Sequence, residues 1–145
     1  MLLNLLVVIF EQAVYLIAGL GNPGEAYHWT RHNVGFLVID ALAAKYQWEF
    51  RKVKSFHGLL AQGMIEGKKI LLLKPQTYMN SSGESIKVCS SYYKVPMNQM
   101  FVLCDDIYLP FGSLRIKTSG ILFGEVVCPV IAFSMNKSWC QKGSV

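Results

Sequence analysis

Apolar residues follow two different spacings along this chain, and the switches between them mark out its elements. Residues 14–18 form a short apolar run closed by glycine, the pattern of a buried strand. Between Asn33 and Tyr46 the apolar residues Val34, Leu37, Val38, Ala41 and Leu42 fall at helical spacing. Thr30 stands where it can cap the start of that helix. Residues 56–65 and 69–74 flank Glu66-Gly67-Lys68 as the two arms of a hairpin. A loop at 75–83 leads into a short helix at 84–93. Residues 100–104 make a buried strand ending on Asp105-Asp106, and the turn Leu109-Pro110-Phe111-Gly112 precedes a strand at 113–117. Strands alternating with helices predict an α/β class: one domain with a mixed central sheet flanked by helices.

The pattern changes after Gly120. Twelve of the 14 basic residues lie between Arg31 and Lys117, while residues 121–145 carry only Glu125, Lys137 and Lys142 as charges. Residues 121–133 are apolar but broken by Gly124, Glu125 and Pro129, which argues against a helix. The expected organisation is an apolar extension at 1–13, a domain at 14–120 that is incomplete on its C-terminal side, and an unrelated tail at 121–145. The ten residues before Glu11 are too few to span a bilayer, and no basic residue precedes them as in a signal peptide.

At 145 residues and 52% apolar, the chain is long and hydrophobic enough for one packed core and is not a disordered segment. Its net charge of +5 suits a polyanion, RNA or an anionic surface, without choosing between them. Cys89, Cys104, Cys128 and Cys140 have no C-x-x-C spacing and no neighbouring histidine, so no zinc site is expected and a reducing cytoplasm fits.

Gly19-Leu20-Gly21-Asn22-Pro23-Gly24 satisfies G-x-G-x-x-G after a strand. A dinucleotide site would need Asp40 at the end of a second strand, but Asp40 falls within the helical pattern, and 25–32 lack an apolar helix face. The loop is left with two readings: a ligand-free turn, or a backbone that a substrate approaches while Asn22 offers a donor and an acceptor. His32 has the side chain of a general base, and a base needs an orienting partner, for which Asp105 at a strand end is the candidate. Asp106 competes with it. His28 and His57 have no comparable setting. Without a G-x-S-x-G elbow, Ser81 and Ser82 are capping or loop serines, Cys104 is a core residue before it is a nucleophile, and Arg51-Lys52-Lys54 is a solvated face before it is an RNA contact.

Four blocks taken together resemble the peptidyl-tRNA hydrolases of bacteria: residues 15–24, then Tyr27 with Thr30-Arg31-His32-Asn33-Val34-Gly35, then 74–83, then 105–112. The resemblance implies a hydrolase that cleaves the ester between peptide and tRNA, a cytoplasmic monomer with peptidyl-tRNA as partner and with no cofactor, metal or membrane. His32 would be the base that activates water, and Asp105 would orient and stabilise that histidine. Asn22 would distinguish blocked from free aminoacyl ends. Tyr27, Tyr78 and Asn80 would hold the peptide and the 3′ end, Met79 would shape the site, and Lys117 would meet a phosphate. Two alternatives stand beside this: an inactive remnant that binds RNA weakly, and a nucleotide-binding enzyme using the Gly19–Gly24 loop.

The chain departs from the family pattern in having Tyr108 where a second acid is usual, and in lacking the later glycine-rich loop with its His and Asn. The resemblance ends abruptly after Ser119-Gly120, as a shifted reading frame would leave it. On that account another frame downstream of codon 120 encodes a Gly-Gly-His loop. Sequencing the DNA checks this, and finding no such loop in any frame rules the frameshift out.

Overall fold

The computed structural model describes residues 13–27, 30–78, 81–106, 108–110, 112–122 and 126–133. Its strands are β1 Val14–Gly19, β2 Arg51–Val53, β3 Gly58–Ile65, β4 Lys68–Pro75, β5 Met100–Asp105, β6 Leu114–Leu122 and β7 Val126–Phe133. Its helices among the described residues are α1 Val34–Tyr46 and α2 Ser82–Tyr92. Most of the expected extension at 1–13 lies outside the described residues.

The seven strands form one sheet in the order β2-β3-β4-β1-β5-β7-β6. The central pairs β4–β1, β1–β5 and β5–β7 run parallel, and the outer pairs β2–β3, β3–β4 and β6–β7 run antiparallel. This is the mixed α/β sheet expected from the alternating pattern. The unbroken apolar runs of β1 and β4 follow from their position, because a parallel strand at mid-sheet is covered on both faces. Alternate residues serve opposite faces. Leu16 and Ala18 of β1 join Leu71 and Leu73 of β4 in one core with Ile86 and Cys89 of α2. Ile70 and Leu72 of β4 face the other way, in a second core with Ile39 and Ala43 of α1 and with Tyr15 and Ile17 packed against it.

Sequence spacing missed several local features. Thr30 does not cap α1. Its Oγ1 donates to the Tyr27 carbonyl at 2.8 Å in the preceding turn, and Asn33 occupies the N-cap with no side-chain cap bond. Ser81 likewise makes no cap bond at the start of α2. Ser82 is fully buried with its hydroxyl unpartnered. The first hairpin arm begins at Gly58, because Lys54–Phe56 forms a 3-10 turn closed by His57 in the left-handed region at φ 50°. Val126–Phe133, within the stretch expected as tail, is a strand seated between β5 and β6, with Val130 and Ala132 buried. Pro129 falls where the β6–β7 register shifts between Lys117 and Gly120, a bulge where a missing backbone N–H is tolerated.

Helix α1 crosses the end of β1 at a pair of glycines. A Cβ on Gly19 would run into the Gly35 carbonyl, and a Cβ on Gly35 would run into the backbone of Leu20 and the Leu103 carbonyl. Alanine at Gly35 is therefore expected to push the helix off the sheet and to cost about 1–3 kcal/mol, as overpacking does. Denaturant unfolding measures this, and unchanged stability would contradict the packing.

Burial pushes the Cys89 thiol up from 9.0 to about 12. The unfolded chain therefore gives up this proton at lower pH than the folded one. The stability that Cys89 contributes is complete below about pH 9 and is lost as pH rises towards about 12. The loss approaches ~1.4 kcal/mol per pH unit. Unfolding curves across that alkaline range should fall more steeply for the wild type than for Cys89→Ala. Parallel slopes would refute the assignment.

Candidate active site

The parallel strands β1, β4 and β5 end on the same side of the sheet, where open α/β sheets place their ligands. Beyond Gly19 the Leu20 N–H donates to the Leu103 carbonyl at 2.9 Å, so the glycine-rich loop leaves β1 still attached to β5. The 3-10 turn Arg31–Asn33 then leads directly into α1. The glycine crossing holds the start of α1 against the strand ends, and His32 comes to Asp105, the last residue of β5.

His32 Nδ1 lies 3.0 Å from Asp105 Oδ2, with the imidazole about half exposed at 48% and the Asp105 side chain at 10%. A carboxylate can only accept, so this contact favours a hydrogen on Nδ1, and in the neutral imidazole Nε2 then keeps its lone pair. In that tautomer the half-exposed imidazole offers a basic nitrogen. Asp106 has a different task. Its Oδ1 accepts from the Tyr108 N–H at 2.9 Å, which closes the turn after β5 and leaves Asp105 as the partner of His32.

Asn33 is the residue that spacing did not single out. It is buried at 3% exposure, and its amide grips the backbone of Asn22 from both sides. Oδ1 accepts from the Asn22 N–H at 2.7 Å, and Nδ2 donates to the Asn22 carbonyl at 2.9 Å. The approach requires glycine at 21, where a Cβ would stand 2.9 Å from Asn33 Oδ1. The signal in the sequence was the adjacency of Asn33 to His32: a residue next to the base, too polar to be buried without two partners. Beside this clamp lies a cavity of about 270 Å³ whose lining includes Asn22, Asn33, Phe36, Leu59, Lys74 and Gln76.

Lys74 on that wall pairs with Asp40 at 2.7 Å, and its ammonium sits 5.1 and 5.2 Å from the ring centroids of Phe36 and Phe50. Asp40 is thereby engaged within α1 rather than offered to a ribose. The Gly19–Gly24 loop opens onto the 3-10 turn Glu25–Tyr27 rather than the α-helix that dinucleotide sites use.

The remaining candidates are spread around this centre. Tyr27 is 42% exposed, in the turn after the loop. Tyr78 is 68% exposed, just beyond β4. Lys117 is exposed on β6, opposite Val130. Met79, Asn80 and His28 lie outside the described residues. Cys104 makes a poor nucleophile. Burial, then the Asp105 and Asp106 carboxylates, push its thiol up to about 11, with Lys117 acting in the opposite direction. Among the described residues no group of three or more His, Cys, Asp and Glu could hold a metal ion.

A family model described as peptidyl-tRNA hydrolase matches residues 16–126, past the boundary expected at Gly120. Over 107 residues the chain is 51% identical to a peptidyl-tRNA hydrolase of Finegoldia magna, covering 74% of this chain and 56% of that protein. It is 50% identical over 123 residues to one from a Thermoanaerobacter species, covering 85% and 66%. The chain thus spans under two thirds of the length of these relatives. The crystal structure of the Acinetobacter baumannii peptidyl-tRNA hydrolase superposes with a TM-score of 0.78 at 32% identity, over 88% of this chain and 73% of that one. With the family match running through most of the sheet and both halves of the His32–Asp105 pair, this chain belongs to the peptidyl-tRNA hydrolase family.

Proposed function

We propose that this chain hydrolyses the ester joining a peptide to the 3′ end of tRNA. The observation that carries the reading is the His32–Asp105 contact at the strand ends, beside an Asn22 loop held by Asn33. His32 Nε2 takes a proton from water while the water oxygen attacks the ester carbonyl. The tetrahedral intermediate collapses by breaking the bond to the ribose oxygen, which takes up the proton that His32 holds. The products are a tRNA with a free 3′ hydroxyl and a peptide carboxyl group, which releases its proton to bulk water to become the carboxylate. Asp105 stabilises the transient imidazolium and fixes its orientation, the role a buried carboxylate plays behind other catalytic histidines. Donors such as the Asn80 amide stabilise the developing oxyanion.

In the same reading Asn22 senses whether the amino group of the substrate is blocked. Tyr27, Tyr78 and Asn80 hold the peptide and the 3′ end, Met79 shapes the pocket, and Lys117 meets a tRNA phosphate. The family match and the exposed positions of Tyr27, Tyr78 and Lys117 support these assignments. No metal or cofactor takes part. The protein works as a cytoplasmic monomer away from membranes. Among the described residues no helix is long and apolar enough to cross a bilayer.

The test is turnover of an N-blocked aminoacyl-tRNA by the full chain. His32→Ala is expected to lower the rate by about 10²–10⁴-fold with the fold retained. Asp105→Asn should also slow turnover, because an amide can hold the imidazole in the wrong tautomer. Equal rates in wild type and His32→Ala would refute the assignment. A folded chain that binds tRNA without turnover would favour the weak RNA-binding alternative.

A further inference from the structure

The basic segment at 51–54 has a more definite setting than a solvated face. Strand β2 is short, and the chain leaves it through the Lys54–Phe56 turn, which the His57 N–H closes on the Lys54 carbonyl at 3.1 Å. Phe56 is buried beneath, and its carbonyl accepts from the Ser85 hydroxyl. The Gln76 N–H donates to the His57 carbonyl at 2.8 Å, which ties the exit of β4 to the same corner. These bonds make a rigid backbone carrying exposed cationic side chains. Between the two segments lies a cleft of about 480 Å³, lined by Lys52, Lys54, His57, Gln76 and Thr77 among others.

Three features of this cleft point to an anion. Among the described residues no carboxylate lines it and no ion pair engages Lys52 or Lys54. Its wall includes Thr77, whose Oγ1 is buried without a hydrogen-bond partner, a donor that native structures normally satisfy. His57 is held in the left-handed region at φ 50°, a conformation that costs a non-glycine residue energy and collects at binding sites. The cleft is larger than one phosphate needs. Tyr78, directly after Thr77, offers an exposed ring on which a base can stack. Gln76 also lines the cavity beside Asn22, so one ligand can run along both.

We propose that the Lys52–Lys54–His57–Thr77 cleft binds a backbone phosphate of single-stranded RNA, with Tyr78 stacking an adjacent base. The anion site stands on the geometry of this corner. RNA as its occupant rests on the hydrolase reading above.

The probe is a short single-stranded RNA ending in CCA, titrated onto the full chain at several salt concentrations. Replacing Lys52 and Lys54 together by alanine is expected to weaken binding about tenfold. The dependence of log affinity on log salt should become shallower by roughly 0.7, the amount expected for the one single-strand phosphate that the variant no longer neutralises. A double alanine variant of the exposed Lys45 and Lys68 removes the same charge elsewhere and should change the slope far less. Thr77→Val should weaken RNA binding several-fold while leaving thermal stability equal or higher, since the hydroxyl makes no internal bond. A purely structural Thr77 would show the reverse.

Unchanged affinity and slope in the Lys52/Lys54 variant would overturn the proposal, as would undetectable RNA binding or a tighter fit to an acidic peptide than to RNA. The two readings fail separately. Lysine-dependent RNA binding without turnover sinks the hydrolase reading and keeps the cleft. Turnover with lysine-independent RNA binding does the opposite.

Discussion

Helix α1 meets the end of β1 with no side chain between them, because Gly19 and Gly35 stand where they cross. Everything proposed for the active site depends on that close approach. The 3-10 turn leading into the helix carries His32 and Asn33, and the strand the helix presses on is flanked by β5, which ends on Asp105, and continues into the loop that holds Asn22. A single methyl group at the crossing would move the imidazole relative to its carboxylate and the amide relative to the backbone it grips. Glycine here sets a distance between two elements, and the chemistry is built at that distance.

The site is also divided between a polar rim and a neutralised floor. His32 stands half exposed on the rim, while Asp105 meets it with one oxygen and Asn33 has both ends of its amide bonded to the Asn22 backbone. On the cavity wall the Lys74 charge is shared between Asp40 and two aromatic rings. A cation placed this way shapes the cavity without competing strongly for a substrate carboxylate or phosphate. The cations of the β2 corner are in the contrary situation, exposed on a cleft with no carboxylate among its described lining residues.

The elements legible in the sequence were those whose pattern is local. The apolar run of β1, the hairpin around Glu66-Gly67 and the helical spacing of α1 each follow from burial on one or two faces, and periodicity records burial. His32 and Asp105 could be paired because a base needs a carboxylate and strand ends gather sites. Asn33 could not be assigned its role, since its bonds reach across 11 positions to a backbone that carries no side-chain signal. Thr30 looked like a cap, but its hydroxyl found a nearer carbonyl. Strand β7 was hidden by Gly124, Glu125 and Pro129, residues that argue against a helix and say little about a strand with a bulge. The three residues of β2 are too few to show any period, so the basic corner looked like ordinary surface.

Strand β7 follows β6 in the chain yet lies inside it in the sheet. Among the described strands β6 pairs only with β7, so when residues 114–122 emerge during synthesis the neighbour they need has not yet been made. Docking of β6 must wait for Val126–Phe133 to add to β5 or must arrive with it as a preformed hairpin. The two strands therefore join as one late unit, after the β4–β1–β5 centre is already able to form. Until that moment Leu114 and Ile116, still more than half exposed in the finished fold, sit on an unpaired strand open to other chains. The order of strands along the chain thus fixes the interval in which this protein is most exposed to misassembly, independently of how stable it becomes once complete.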